Sequence, residues 1–197
     1  THQLSVIAYS SSGRSSEIET SVEISGVSAY DEWLANNAAA KGSFIEISEV
    51  GSLPISLIVR CGDLGGPLAR TLRSIAHQSH QQAEVLLVAA TEQDGARAAQ
   101  AAKAAGLYDV RVALAAEDCF ADCTGEFCAV LDAGDELEGG ALQSVAATAQ
   151  CNRDVDLIYA DEDRVQLNGR ASPVFKPAFS PLYLTDHNYI GRPWFAR

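Results

Sequence analysis

From Leu53 onward the chain alternates between two hydrophobic periods. Short runs are apolar almost throughout: "ISLIV" (55–59), "EVLLVAA" (84–90), "DVRVALA" (109–115), "EFCAVL" (126–131) and "VDLIYA" (155–160). Runs of this length, rich in Val, Ile and Leu, predict buried strands. Between them the period lengthens. Leu68, Leu72, Ile75 and Ala76 fall at helical spacing and predict a helix over 67–78, with Pro67 suited to its first turn. An Ala-rich stretch predicts a second helix over 94–105, closed by Gly106, and a third is predicted over 139–149. Strand and helix in alternation predict an α/β fold: a doubly wound, mostly parallel sheet with flanking helices. Ligands of such sheets sit beyond the carboxyl ends of the strands. Past Tyr159, "RVQLNGRASPVF" predicts a C-terminal hairpin turning on Asn168-Gly169. "KPAFSPLYL" reads as a Pro-broken loop with a short helix, and "HNYIGRPWFAR" begins a strand.

Residues 1–53 have a different texture, rich in Ser and Glu. They hold two strand-like runs, "LSVIAYS" and "IETSVEISG", and a predicted helix around "SAYDEWLANNAAAKG". Tyr30, Trp33 and Leu34 share one face of that helix and would dock it. The expected organisation is a connector or partial small domain over 1–53, followed by the main domain over 54–197.

Composition narrows the function classes. At 47% hydrophobic and 20% charged, the chain has the makings of a packed core. Its apolar runs are too short to span a bilayer, so no transmembrane segment is expected in this piece. The start has no signal-peptide pattern. Methionine is absent, position 1 included, which leads to the expectation of a piece of a longer protein with further domains. The net charge of −12, from 26 acidic and 14 basic residues, repels phosphate backbones and argues against nucleic acid. Five cysteines without framework spacing read as reduced core residues of a cytosolic protein.

Two acidic clusters follow predicted strands: "LDAGDEL", with Asp132 and Asp135, and "YADEDR", with Asp161 and Asp163. Both therefore fall on one edge of the predicted sheet. Carboxylates are costly to crowd together. A hard cation such as Mg²⁺ or Mn²⁺ would use them as oxygen ligands. The alternative is that Asp135 and Glu136 sit near the start of the 139–149 helix and are favoured by its dipole.

The order of features from Pro54 to Arg197 resembles the nucleotide-binding part of the inverting, family-2 glycosyltransferases with the GT-A fold. The matching residues are "ISLIV", "TLRSIAHQSHQQAEVLLV", "TGEFCAVLDAGDELEGGAL" and "DVDLIYADEDRVQLNGRASPVFKPAFSP…NYIG". The last block resembles a subgroup of bacterial transferases that make polysaccharides and O-antigens. The resemblance implies a metal at Asp132 and Asp135, Mg²⁺ or Mn²⁺, bridging the phosphates of a nucleoside-diphosphate sugar. The family's usual base motif would lie beyond Arg197; the best acids present for a catalytic role are Asp161 and Asp163, expected on the acceptor or metal side rather than as base, and Asp94 and Asp63 are left for nucleotide contacts. A glycan would accept the sugar, in the cytoplasm or at the inner face of the membrane.

Several positions depart from the family pattern. Gly134 stands where a further carboxylate is usual. Ala89 and Ala90 replace an Asp pair that reads base and ribose, and Arg60-Cys61-Gly62-Asp63 replaces Pro-x-Tyr-Asn. The competing expectation is therefore a non-catalytic GT-A-like scaffold or glycan-binding module of a larger protein. An unrelated dinucleotide-binding protein is disfavoured: the first strand is followed by no Gly-x-Gly-x-x-Gly and no P-loop.

Overall fold

A computed structural model describes residues 2–9, 15–22, 30, 32, 34, 53–80, 82–114, 119–166 and 169–197. In chain order the elements are β1 (His2–Tyr9), β2 (Ser15–Val22), β3 (Ile55–Arg60), α1 (Gly66–Ala76), β4 (Ala83–Ala89), α2 (Glu92–Ala104) and β5 (Val110–Leu114). They continue as β6 (Phe127–Asp132), α3 (Ala141–Cys151), β7 (Leu157–Tyr159), β8 (Glu162–Gln166), β9 (Gly169–Val174), α4 (Pro181–Asp186) and β10 (Trp194–Ala196).

The main sheet has the order β2-β1-β7-β10-β6-β3-β4-β5. The β6-β3-β4-β5 half is parallel. β10 is antiparallel to both β6 and β7, so those two strands run the same way. The carboxyl ends of β3, β4, β5, β6 and β7 consequently share one edge, as the strand-then-acid pattern predicted. β1 pairs antiparallel with β7, Ile7 opposite Tyr159, so the sheet runs across the residue-53 boundary drawn from sequence. β8 and β9 form the expected hairpin, with Gln166 opposite Gly169. Leu167 and Asn168 of its turn lie outside the described residues, as do Trp33 and most of the predicted N-terminal helix.

Alternation within the strands sorts the core. Ile55, Leu57 and Val59 of β3, with Phe127, Ala129 and Leu131 of β6, share one cluster with Leu68 and Leu72 of α1. Ala98 and Ala102 of α2 and Leu142, Val145 and Ala146 of α3 belong to that cluster as well. Ile58 and Leu86, one position out of phase, join Ala113 in a smaller cluster on the other face. The small alanines of α2 let that helix lie close to the sheet.

Element ends follow local chemistry. α2 begins at Glu92, earlier than the periodicity indicated, because the Thr91 hydroxyl accepts the Asp94 N–H and caps the helix. At its other end Gly106, at φ +95°, donates to Lys103, and Leu107 donates back to Ala102. This pair of reversed bonds is the Schellman stop that the glycine predicted. β7 is shorter than the apolar run: Val155 instead closes a turn onto the Asn152 carbonyl.

Candidate functional site

β6 delivers Asp132 as its last residue, and the chain then turns through Ala133 and Gly134. Asp135 donates its N–H to the Asp132 carbonyl, and its Oδ2 accepts the Asp132 N–H at 2.8 Å. Gly134 has φ +112°, a conformation that favours glycine over a carboxylate residue. That is a local reason for the missing acid. α1 fixes the turn from below: Thr71 Oγ1 accepts the Gly134 N–H at 2.8 Å, and Ser74 Oγ accepts the Leu137 N–H at 3.0 Å. Gln78 clasps the continuation, donating to the Glu138 carbonyl and accepting the Leu142 N–H.

The carboxylates of the turn are held by arginines. Arg60 stands opposite Asp132 in the parallel β3–β6 register. Its Nε and Nη2 donate to Asp132 Oδ1 and Oδ2 at 2.5 and 2.8 Å. Arg192 lies with Nη2 at 2.8 Å from Asp132 Oδ2 and Nε at 3.5 Å from Asp135 Oδ2. It bridges the two acids. Arg70 donates to Glu136 at 3.1 Å. Both Asp132 oxygens and one Asp135 oxygen thus face guanidinium groups. A Mg²⁺ ion asks for a near-octahedral set of oxygens. Among the described residues no group of three or more His, Cys, Asp or Glu side chains is placed to hold a metal ion. As arranged, the turn leaves the cation that its sequence implied only one Asp135 oxygen that no arginine faces.

The second acidic cluster follows β7. Asp161 Oδ1 accepts the Lys176 N–H at 2.7 Å, while Oδ2 is buried without a hydrogen-bond partner among the described residues. Burial pushes the Asp161 carboxyl above its ordinary range, against the pull of the Lys176 N–H and ammonium. Asp163 is engaged: it accepts from the Tyr30 hydroxyl and from Arg170 Nε at 2.5 Å. Burial, then the Asp163 carboxylate, push the Tyr30 phenol well up. Arg170 also pairs with Glu138, tying the hairpin to the segment after the acidic turn. Lys176 is buried and donates to Glu162 Oε2 at 3.0 Å and to the Ile190 carbonyl, so it bonds inside the protein.

A cleft of about 1470 Å³ opens at this edge of the sheet, lined by Arg60, Asp135, Asp161, Asp163 and Arg192 among others. Asp132 is not among the lining residues, whereas Arg60 and Arg192, which contact it, are. Asp63 and Asp94 do not line the cleft. Asp63 accepts the Gly65 N–H at 2.9 Å in the turn before α1, and Asp94 takes part in the α2 cap. Arg192 was not singled out from sequence, and Arg60 only as part of a departure from the family pattern. The legible signal was Arg60 itself, a charge at the end of an apolar strand.

No family model matches the chain. Over 124 residues, 62% of the chain, it is 33% identical to the O-antigen biosynthesis protein RfbC of Myxococcus xanthus. The chain spans 8% of the length of that relative. Among solved structures it overlays S. aureus TarS with a TM-score of 0.45 at 19% identity, covering 61% of this chain and 23% of that one. It overlays the mannosyltransferase PcManGT from Pyrobaculum calidifontis, solved with GDP-Man and Mn²⁺, with a TM-score of 0.46 at 16% identity. There the cover is 68% of this chain and 44% of the other. In sequence the chain is similar, over 62% of its length, to a protein of O-antigen biosynthesis, and its fold is a helix-flanked, mostly parallel α/β sheet.

Proposed function

We propose that this chain is a sugar-transfer domain of a larger polysaccharide-synthesis protein. Its cleft takes a nucleoside-diphosphate sugar and the hydroxyl of a glycan acceptor. The observation that carries this reading is Asp161, whose Oδ2 is buried beside the cleft without a partner among the described residues. An inverting transfer needs one base to take the acceptor proton as the hydroxyl attacks. A carboxylate pushed up by burial is a better base than a solvated one. Asp163 is a positioning residue here, since Tyr30 and Arg170 already hold it. The positions that the family uses to read the nucleoside are weaker here, because Ala89 is buried and Ala90 offers no acceptor to base or ribose.

Among the described residues no helix is long and apolar enough to cross a membrane. Work at the cytoplasmic face, with membrane contact left to other parts of a longer protein, accords with that reading. The test is donor turnover with UDP-, dTDP- and GDP-sugars, read as nucleoside diphosphate released. Release that Asp161→Asn abolishes while nucleotide binding persists is the expected result. Binding without any turnover, for every donor and with glycan acceptor present, would favour the second reading, a non-catalytic scaffold. The alanines at 89 and 90 are the observation on that side.

A further inference from the structure

The disagreement between the acidic turn and a divalent cation has a positive side. We propose that Arg60 and Arg192 stand in for the metal, so that this cleft binds the diphosphate of its ligand through guanidinium N–H groups without a divalent ion. The proposal rests on the reading of the cleft as a nucleotide-sugar site.

A metal in such a turn does two things: it neutralises the aspartates, and it offers positive charge to phosphate oxygens. The arginines are placed for both. Arg60 and Arg192 balance Asp132 and Asp135 at contact distance. A guanidinium has five N–H donors in a planar fork; Arg60 spends two on Asp132, and Arg192 lies in ion-pair contact with Asp132 and Asp135. The outer edges remain, on side chains that are 54% and 44% exposed and line the cleft. Planar forks suit bidentate contact with phosphate.

The placement is built into the fold. Arg60 reaches Asp132 because the two are register partners on parallel strands. Arg192 follows a segment that the buried Lys176 pins through the Ile190 carbonyl. Gly191, at φ +62°, lies so close to Glu162 that a Cβ there would come 2.7 Å from its Oε2. The same Glu162 pairs with Lys176. The chain leading to Arg192 is therefore held on both sides.

Because two arginines meet two aspartates, the group is close to neutral, and the diphosphate is drawn by hydrogen bonds more than by net charge. Binding is expected to be weak and insensitive to metal. Calorimetry with UDP, dTDP and GDP, each in EDTA and in Mn²⁺, tests this. The expected result is one dissociation constant in both conditions, weakened about tenfold by Arg192→Gln and by Arg60→Gln. Melting curves confirm that each variant folds, and half-exposed Arg192 carries the test if the Arg60 variant does not. Binding seen only with Mn²⁺ overturns the inference and leaves the nucleotide-sugar reading standing. Metal-free binding that neither variant weakens also overturns it. No binding in either condition overturns the reading and the inference together.

Discussion

Arg60 and Asp132 are register partners on adjacent parallel strands, and their side chains close two hydrogen bonds at the open end of the sheet. The strand pairing that buries Val59 against Leu131 also sets an arginine against the acid that follows. The pair is half-exposed, so screening limits what it adds to stability.

Asp132→Ala is therefore expected to cost no more than about 1 kcal/mol in a urea unfolding curve. In the wild-type protein, Mn²⁺ below about 1 mM should leave the melting temperature unchanged, since bound ligand would raise it. A Mn²⁺-dependent rise that Asp135→Ala removes would show a working metal turn.

The sheet was legible because β3 and β4 are apolar on both faces, which makes their runs stand out from the helical period beside them. The acids at 132, 135 and 161 were legible for the same reason, as polar residues that end such runs. Asp94 and Asp63 show where that logic stops. Short carboxylates bond nearby backbone N–H groups, so a cap and a ligand look alike in sequence. Arg192 is further out of reach. Its meeting with Asp132 depends on the tertiary path of 188–195, and no local period marks it.

Gly125, in the "TGEF" before β6, is expected to tolerate no side chain. A Cβ there would lie 2.5 Å from the Ser56 nitrogen and 2.8 Å from the Ile55 carbonyl carbon. The glycine N–H also donates to Ser56 Oγ at 2.8 Å, and Glu126 donates to the Pro54 carbonyl. Gly125→Ala should cost about 1–3 kcal/mol by pushing β6 off β3. A urea midpoint equal to wild type would mean the strands part without cost.

Lys176→Met keeps the length of a side chain that is 1% exposed but removes its ammonium. Glu162 and the Ile190 carbonyl then lose their donor. A loss of about 1–3 kcal/mol is expected, as for other buried polar groups left unpaired. Hydrogen exchange should speed up in residues 188–195, the segment that the lysine pins. Unchanged exchange there would remove Lys176 as the brace of Arg192.

Asp161 gives a prediction whose sign can be worked out. Burial raises its folded-state pKa above the ordinary 3.8, so folding favours the protonated form. Its contribution to stability is fully present below the unfolded pKa and is lost as pH rises through the raised, folded value. Asp161→Asn cannot ionise, and its amide oxygen can still accept the Lys176 N–H. The variant should therefore gain stability relative to wild type as pH climbs from about 4, levelling off once the wild-type carboxyl is ionised. Urea midpoints for both proteins, measured across that range, give the curve. Donor turnover by the wild type should rise over the same window, because the base must be ionised to take a proton. A wild type that gains on the Asn variant with rising pH would mean that the Lys176 ammonium outweighs burial, and Asp161 would then be an ion-pair partner and a poor base.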